Sequence, residues 1–395
     1  MAVNFTQIPT IDLAHAQSPV TKASFLSDLR DAIVEVGFFY LKNHGVPNNV
    51  ERNFVEQSVK FFDLPLEDRL EVEMLHSKHF LGYVREQNEK TAQRTDYRET
   101  FNLGMDLAAA GEEEPAYRNM SGPNLVRMTF SCALCGGPSL IEMNDTIKWP
   151  NETAIPGFRA AMEDYVKHIQ TLGDDFKVLV AEALDLEPTA FLRFFDEQPQ
   201  DRLKLAKYPV PSSIADSEPS GSFQGIGPHK DSSFLTFLLQ GTPHRGLEVQ
   251  NKSGEWIPAP PIPGTLVVNI GRMFEALTGG VVTATTHRVN LEEKNFVDRD
   301  GRPLGPRFSF PMFQLLALDL RRDQMTLDMP PHIVKLAKEI KVMSDAEKFF
   351  EEMFRDCAGS GLFLARVIKH EDVARKWYPD VLDNVLKAQK AELGH

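Results

Sequence analysis

A histidine and an aspartate stand two residues apart, as His229-x-Asp231, in the segment from Gly225 to Ser232. Side chains two apart on an extended strand project from the same face. A later histidine, His287, follows an apolar strand and can complete a set of two imidazoles and one carboxylate. Such a set leaves open positions on the opposite side of a metal and suits non-haem Fe(II). The sequence therefore predicts a metal site formed by His229, Asp231 and His287.

A second pair of polar residues has the same spacing, in the segment Arg307-Phe308-Ser309-Phe310. On a strand, its arginine and serine share one face, and its two aromatic residues share the other. A guanidinium fork together with a hydroxyl suits a carboxylate ligand. The alternative is a surface arginine at the end of a barrel. A polar stripe that faces inward requires a ligand or partner, because an unpaired buried charge is costly.

The tripeptide pattern occurs again near the C-terminus, as His370-Glu371-Asp372. On the order of one such tripeptide is expected by chance in a chain of this composition. The second copy lies in a charged stretch with only His395 after it, so we expect it to be the solvated start of a helix. The first copy precedes the apolar run from Phe234 to Leu239, and this context favours it as the metal site.

Further motifs extend over most of the chain in a fixed order. They are Ile8–Leu13, Val36–Pro47, Phe61–Pro65, Glu255–Pro258, Asn269–Gly271 and Thr286–Val289. In this order the chain resembles the isopenicillin-N-synthase-like, 2-oxoglutarate-dependent Fe(II) dioxygenases. The resemblance implies Fe(II), 2-oxoglutarate as co-substrate, and dioxygen. It also implies a reaction that releases CO2 and succinate and oxidises a C–H bond of a second substrate.

The resemblance also assigns the far carboxylate of 2-oxoglutarate to Arg307 and Ser309, and to Tyr208 by its position. The family commonly has an asparagine two residues before this tyrosine, where the chain has Ala206. One usual hydrogen-bond donor to the keto-acid end is therefore missing. Lys204, or a water molecule, is the candidate to replace it.

A closer resemblance, to the ethylene-forming enzymes, lies in Gly82–Val84, Glu89–Ala92, Asp96–Phe101 and Leu277–Gly280. In those enzymes the residues that match Glu89 and Thr91 help to hold L-arginine; the alternative for this pair is a solvated loop. Other positions of that pocket differ. Ser232 stands where those enzymes have a tyrosine, and Asp356, before Cys357, stands where they have an arginine. Polar replacements in the keto-acid site also weaken an assignment to ethylene formation.

Helical and strand patterns divide the chain. Helices are predicted from Thr21 to Val36, Asn48 to Phe62 and Phe158 to Leu184, with a long loop over residues 104–157. From Leu203 onward, short apolar runs between Gly, Pro and Asn turns are typical of a β barrel or sandwich.

These patterns and the resemblance predict a mainly β, α+β fold with a double-stranded β-helix (jelly-roll) core. We expect an N-terminal helical and strand region over residues 1–200, the core over 201–320 and C-terminal helices over 321–395, in one catalytic unit. Two segments within them carry specific predictions, an extended hairpin over 291–306 and a helical tail that includes Ala346 to Phe354.

Composition limits the partners and the compartment. The chain has 395 residues, 42% hydrophobic and 25% charged, which is ordinary for a globular protein. Its net charge of −13 argues against nucleic acid or an anionic membrane as a partner. We find no membrane-spanning run and no signal-peptide pattern. Three cysteines, Cys132, Cys135 and Cys357, do not form a disulfide framework, so a reducing, cytoplasmic compartment is expected. Cys132-x-x-Cys135 lacks a second pair for a zinc site and lies in a predicted loop, which argues against a redox role.

The leading hypothesis is an oxidoreductase, a 2-oxoglutarate-dependent dioxygenase that hydroxylates a small, L-arginine-like or other molecule. Three alternatives are an ethylene-forming enzyme that uses L-arginine, a 2-oxoglutarate-independent Fe(II) oxidase, and a non-catalytic ligand-binding relative. The sequence names neither the substrate nor the oligomeric state.

Overall fold

The computed structural model describes residues 4–91, 94–124, 149–211, 223–325, 327–339 and 356–393. Its strands are β1 (Thr10–Asp12), β2 (Phe38–Lys42), β3 (Gly82–Val84), β4 (Lys90–Thr91), β5 (Arg94–Thr95), β6 (Glu99–Gly104), β7 (Arg202–Tyr208), β8 (Phe223–His229), β9 (Leu235–Gln240), β10 (Leu247–Gln250), β11 (Trp256–Pro258), β12 (Thr265–Ile270), β13 (His287–Leu291) and β14 (Arg307–Phe313). Its α-helices are α1 (Lys22–Asp31), α2 (Asn48–Asp63), α3 (Leu66–Glu71), α4 (Phe158–Ala183), α5 (Arg272–Leu277), α6 (Pro331–Glu339), α7 (Ala358–Lys369), α8 (Glu371–Trp377) and α9 (Pro379–Leu393).

Two β-sheets form the centre of the protein. The larger has eight strands in the order β1-β2-β12-β9-β14-β7-β6-β3, and the smaller has four in the order β11-β10-β13-β8. Strands β4 and β5 form a separate two-stranded ribbon. Within the large sheet, β1 and β2 are parallel, while the core strands pair in antiparallel fashion. Together with the flanking helices, these sheets confirm the predicted α+β fold with a jelly-roll core.

The large sheet is buried on both faces. Successive side chains of a strand point to opposite faces, and β2 shows the consequence. Phe39 and Leu41 join the apolar core that includes helices α1, α2 and α4. Phe38 and Tyr40 join a second apolar cluster, which includes Val249 of the small sheet. The space between the two sheets is therefore a second interior, and it is where polar side chains of the core strands meet.

Helix α2 holds the helical layer against the sheet through aromatic contacts. The ring of Phe54 stacks on Tyr165 of α4 with centroids 3.9 Å apart, and it meets the edge of Phe310 of β14 at 5.0 Å. Phe54 is fully buried. Because Phe310 alternates with Ser309 on β14, this packing fixes the strand that presents the serine to the opposite face.

Two local predictions differ from the structure. The predicted helix from Thr21 to Val36 is α-helical only to Asp31 and continues as a π turn to Val36. The turn ends at Gly37, which has a φ of 69° and whose added Cβ would lie 2.4 Å from the carbonyl oxygen of Thr283. Only glycine suits that backbone and that close approach.

The predicted extended hairpin over residues 291–306 contains a 3₁₀ turn at Glu293–Asn295 before its tight turn. In the tight turn, the amide of Asp298 donates to the carbonyl of Arg302 at 2.9 Å. The predicted helix from Ala346 to Phe354 lies outside the described residues, as do Cys132 and Cys135. Among the described residues, no helix is both long and apolar enough to cross a lipid bilayer.

Replacing Phe54 with alanine should lower the free energy of unfolding by about 3–5 kcal/mol, because it removes a buried ring from two aromatic contacts. Chemical denaturation followed by fluorescence measures the change. The control is Val20→Ala at a side chain that is 89% exposed, which should stay within about 0.5 kcal/mol of the parent. Equal effects of the two substitutions would contradict the role given to Phe54.

Candidate active site

The three predicted metal ligands meet between two paired strands. Strand β8 ends at His229, strand β13 begins at His287, and the register places these two residues opposite each other. Asp231 follows two residues after the end of β8. Its Oδ1 lies 3.6 Å from Nε2 of His229 and 3.7 Å from Nε2 of His287. All three ligand atoms lie within 4.8 Å of one another, so one cation can contact all three.

Each imidazole is oriented by a backbone carbonyl. Nδ1 of His229 lies 2.8 Å from the carbonyl oxygen of Gly227, and Nδ1 of His287 lies 3.1 Å from that of Thr285. An Nδ1–H that donates to a carbonyl leaves Nε2 unprotonated on the other side of the ring. Both Nε2 atoms therefore present lone pairs toward Asp231.

The carboxylate of Asp231 is held by its other oxygen. Oδ2 accepts hydrogen bonds from Thr236 Oγ1 at 2.7 Å and from Asn269 Nδ2 at 2.9 Å, which leaves Oδ1 to face the histidines. Burial alone would raise the pKa of Asp231, but His287 and His229 outweigh burial and lower it. Burial, followed by the neighbouring His229, lowers the pKa of His287 to about 4. An ionised carboxylate and a neutral imidazole are the states that bind a metal ion.

A second subsite lies where β14 pairs with β7. The register sets Arg307 opposite Tyr208 and Ser309 opposite Ala206. The guanidinium of Arg307 lies over the Tyr208 ring, with its Cζ 4.9 Å from the centroid. Arg307 is only 1% exposed, and its Nη1 and Nη2 have no hydrogen-bond partner within the described part of the chain. A buried and unpaired guanidinium fork fits a carboxylate such as the far end of 2-oxoglutarate.

The position where the resembling family commonly has an asparagine forms a non-polar part of the cavity wall. Ala206 lines the cavity and is 1% exposed, so it offers no side-chain donor there. Lys204, two residues earlier on the same face of β7, also lines the cavity. Its Nζ lies 3.6 Å from Oε1 of Glu89, which draws the ammonium group toward that carboxylate.

The cavity beside these residues has a volume of about 240 Å³, and its wall includes the three predicted metal ligands, Tyr208 and Ser309 but not Arg307. Ser232 contributes to its wall beside the metal residues. Asp356 does not: it lies with Arg321 and Arg322 in a separate surface depression. Cys357 is buried, with its Sγ 3.4 Å from Oγ of Ser360, and it does not line the cavity. Of the predicted substrate residues, the structure thus brings Ser232 to the site and leaves Asp356 and Cys357 away from it.

Glu89 is not part of a solvated loop. It is 2% exposed, and its carboxylate lies 2.7 Å from Arg98, 3.2 Å from Lys369 and 3.6 Å from Lys204. It stands behind these cations, which themselves line the cavity. Thr91, its predicted partner, donates instead to Oδ2 of Asp96 at 2.7 Å.

The expectation for the second His-x-Asp tripeptide is wrong for its histidine. Glu371 and Asp372 are exposed in the first turn of α8, but His370 is only 3% exposed. Its Nε2 lies 3.8 Å from Oε1 of Glu89, and its ring packs 6.2 Å from that of Phe80. Long-range packing of α8 buries a residue whose immediate sequence neighbours are both charged.

Several residues at the site were missed from the sequence. Arg366 and Lys369 of α7 line the cavity. Their spacing of three within the predicted C-terminal helices indicates that they share one helix face, and this was the available sequence signal. Arg98 lies within the Asp96–Phe101 motif, which assigned it no role. Thr236 and Asn269, which hold Asp231, lay in apolar strand segments, where a lone polar residue facing inward is itself a signal.

Comparison with protein families gives two matches. A family model described as "non-haem dioxygenase in morphine synthesis N-terminal" matches residues 8–127. A model described as the "2OG-Fe(II) oxygenase superfamily" matches residues 190–313, a range that includes His229, Asp231, His287 and Arg307.

Curated relatives agree with these matches. A 2-oxoglutarate-dependent dioxygenase of Gibberella zeae is 42% identical over 97% of this chain and 94% of its own length. The 2-oxoglutarate-dependent dioxygenase frbJ of Dothideomycetidae sp. is 38% identical over 100% of this chain and 98% of its own. A homoarginine-6-hydroxylase of Glycine max is 30% identical over 73% of this chain and 82% of its own.

The fold also matches a solved structure, that of a full-length protein from Neurospora crassa in complex with alpha-KG. The TM-score is 0.61 at 21% identity, over 85% of this chain and 96% of that one. This likeness concerns the fold alone. Because the identity to the Gibberella zeae protein extends over nearly the whole of both chains, this chain belongs to the 2OG-Fe(II) oxygenase superfamily, as a 2-oxoglutarate-dependent dioxygenase.

Proposed function

We propose that this enzyme decarboxylates 2-oxoglutarate to succinate and CO2 and couples that reaction to the hydroxylation of a small molecule. His229, Asp231 and His287 would hold Fe(II), and Arg307 and Ser309 would hold the far carboxylate of 2-oxoglutarate. The observation that carries the proposal is the buried guanidinium of Arg307, whose Nη atoms have no partner in the described part of the chain. A chelating keto acid needs a group that binds its far carboxylate, in addition to the three metal ligands.

The chain's own residues would bind the metal and the keto acid, orient them, and exclude water from the site. Thr236 and Asn269 fix Asp231, so that one of its oxygens faces the metal position. Arg307 and Ser309, on one face of β14, would orient the far carboxylate of the keto acid, and Tyr208, opposite Arg307 in the register, lines the cavity. Leu238 and Val289 add apolar surface to the wall, which keeps water out of the site. Bound Fe(II) supplies the dioxygen activation that couples keto-acid decarboxylation to C–H oxidation.

The predicted division of the chain fits one catalytic unit. Strands β3 and β6, which fall within residues 1–200, belong to the same sheet as β7 and β14 of the proposed core. Lys369, from the proposed C-terminal region, lines the same cavity as His229. We therefore propose that the three regions contribute to a single site and do not act as independent domains.

An L-arginine-like substrate is a second candidate. The 30% identity to a homoarginine-6-hydroxylase and the motif likeness around Glu89 to ethylene-forming enzymes favour it. The ion pairs of Glu89 with Arg98, Lys204 and Lys369 count against it, because the matching carboxylate is already neutralised. Ethylene and succinate measured together, with and without L-arginine, separate ethylene formation from hydroxylation. Absence of ethylene in both would remove the ethylene-forming alternative.

The first test is an anaerobic titration of the protein with Fe(II) and then 2-oxoglutarate, watched for the visible charge-transfer band of a chelated keto acid. A band supports the proposal, and CO2 release from labelled 2-oxoglutarate in air then gives the stoichiometry. Bound iron without a band would favour a 2-oxoglutarate-independent oxidase. Failure to bind iron would favour a non-catalytic relative.

Replacing Arg307 with alanine should weaken 2-oxoglutarate binding on the order of 30-fold or more, because the far carboxylate loses its buried partner. The anaerobic titration of the charge-transfer band measures the dissociation constant. Arg288→Ala is the matched control, since Arg288 lies over an aromatic ring as Arg307 does but already pairs with Glu248. Unchanged keto-acid affinity in the Arg307 variant would overturn the assignment.

Replacing Asn269 with alanine should weaken Fe(II) binding roughly 10- to 100-fold, because Asp231 loses one of the two donors that orient it. Competition with a metal indicator under anaerobic conditions measures the affinity. Asn4→Ala, which removes an exposed hydrogen bond to Ser253, is the control. Equal iron affinity in both variants would show that Asp231 needs no such support.

A further inference from the structure

Four basic side chains form part of the cavity wall. Arg98, Lys204, Arg366 and Lys369 all line it. Lys204 projects from β7, Arg366 and Lys369 project from α7, and Arg98 precedes β6. Three separate parts of the chain thus deliver positive charge to one place. We call these four residues the basic wall.

Two other basic residues of the cavity are already satisfied. Arg202 donates to the backbone carbonyls of His79, Phe80 and Met120, which makes it a structural group. Lys230 lies 3.5 Å from Oε2 of Glu275. Neither is counted in the basic wall.

The basic wall has more positive than negative charge. Within the described part of the chain, Glu89 forms ion pairs with Arg98, Lys204 and Lys369. Asp96 adds a weaker contact, 3.6 Å from Arg98. Two carboxylates therefore face four cations.

The pKa values agree with this imbalance. Burial would raise the pKa of Glu89, but the surrounding cations lower it well below its ordinary value. Burial lowers the pKa of Lys204 and of Lys369, and the neighbouring cations lower both further, against the pull of Glu89. Glu89 therefore does not compensate all of the cations that share it.

The cofactors do not use this excess. The two positive charges of Fe(II) and the one of Arg307 match Asp231 and the two carboxylates of 2-oxoglutarate. With the cofactors bound, the basic wall would still keep its excess positive charge. Arg366 and Lys369 are only partly buried, and Glu89 and Asp96 do not offset all four cations, so the loaded site retains a place for an anion.

We propose that the substrate carries an acidic group, a carboxylate or a phosphate monoester, that pairs with Arg366 and Lys369 of the basic wall. This inference rests on the proposed function, since it concerns the molecule that the oxygenase oxidises. The remainder of the substrate is small and apolar, because Leu315, Phe313 and Leu362 also line the cavity. A free guanidinium would add a further cation to the basic wall and is disfavoured.

The test uses the full chain loaded anaerobically with Fe(II) and 2-oxoglutarate. The probes are butyrate, hexanoate and octanoate, their matched amides and amines, monohexyl phosphate, and L-arginine. Broadening of each probe's proton NMR lines by the iron measures binding near the metal, and the charge-transfer band reports the keto acid in the same sample. Acids should bind more tightly than the amides and amines of equal length, and the better of carboxylate and phosphate identifies the acidic group.

Arg366→Gln and Lys369→Gln should each weaken acid binding roughly tenfold, while the charge-transfer band stays. Arg375→Gln and Lys376→Gln, at exposed positions of α8, are the matched controls and should change nothing. Amines or L-arginine that bind as well as the acids would overturn the inference. So would acids that bleach the band by displacing 2-oxoglutarate, or equal losses in the control variants. No band at all, with acid-selective binding intact, would refute the proposed chemistry and leave the anion site standing.

Discussion

Strand register is the constraint on which the whole site depends. His287 faces His229 across the β13–β8 pair, and Arg307 faces Tyr208 across the β14–β7 pair. A slip of one residue in either pair would turn every side chain to the other face of its sheet. Both the predicted metal set and the carboxylate fork would then point into an apolar layer. The burial of Phe310, next to Ser309, makes such a slip costly, so packing of one face secures chemistry on the other.

Glycine allows the two halves of the site to approach each other. A Cβ on Gly225 of β8 would lie 2.8 Å from Cδ1 of Tyr208. The tyrosine that stacks under Arg307 therefore rests against the bare backbone of the strand that ends at His229. This contact lets the strand of the metal subsite approach the tyrosine of the carboxylate subsite. A chelating keto acid would have to bridge the two subsites, so the missing side chain of Gly225 bears on which keto acid fits.

Much of the fold and part of the site could be predicted from local patterns. The period of two along a strand places His229 with Asp231, and Arg307 with Ser309, without knowledge of any distant contact. The period of a helix gives α2 and α4 in the same way. The π turn at the end of α1 could not be predicted in this way, because it depends on the approach of Thr283 to Gly37.

The three-dimensional surroundings of a residue were harder to predict than its secondary structure. His370 lies between charged residues in the sequence yet is buried, because the junction of α7 and α8 places its ring near Glu89 and Phe80. Local periodicity gives the face of a helix and does not give its direction in the fold. Asp356 and Cys357 immediately precede α7 and do not line the cavity, whereas Arg366 and Lys369 in the later turns of that helix do.

Glu89 shows why a matched residue does not transfer its role. A carboxylate that is open to solvent or ligand attracts a guanidinium, whereas one already paired with Arg98 and Lys369 does not. The residue is a glutamate in both situations, and the charged groups around it decide whether a ligand meets a negative or a positive electrostatic potential. Specificity also arises from repulsion, since unbalanced cations exclude positively charged molecules as firmly as they bind anions. The basic wall therefore selects for a negatively charged substrate. The motif around Glu89, taken alone, would have predicted a positively charged one.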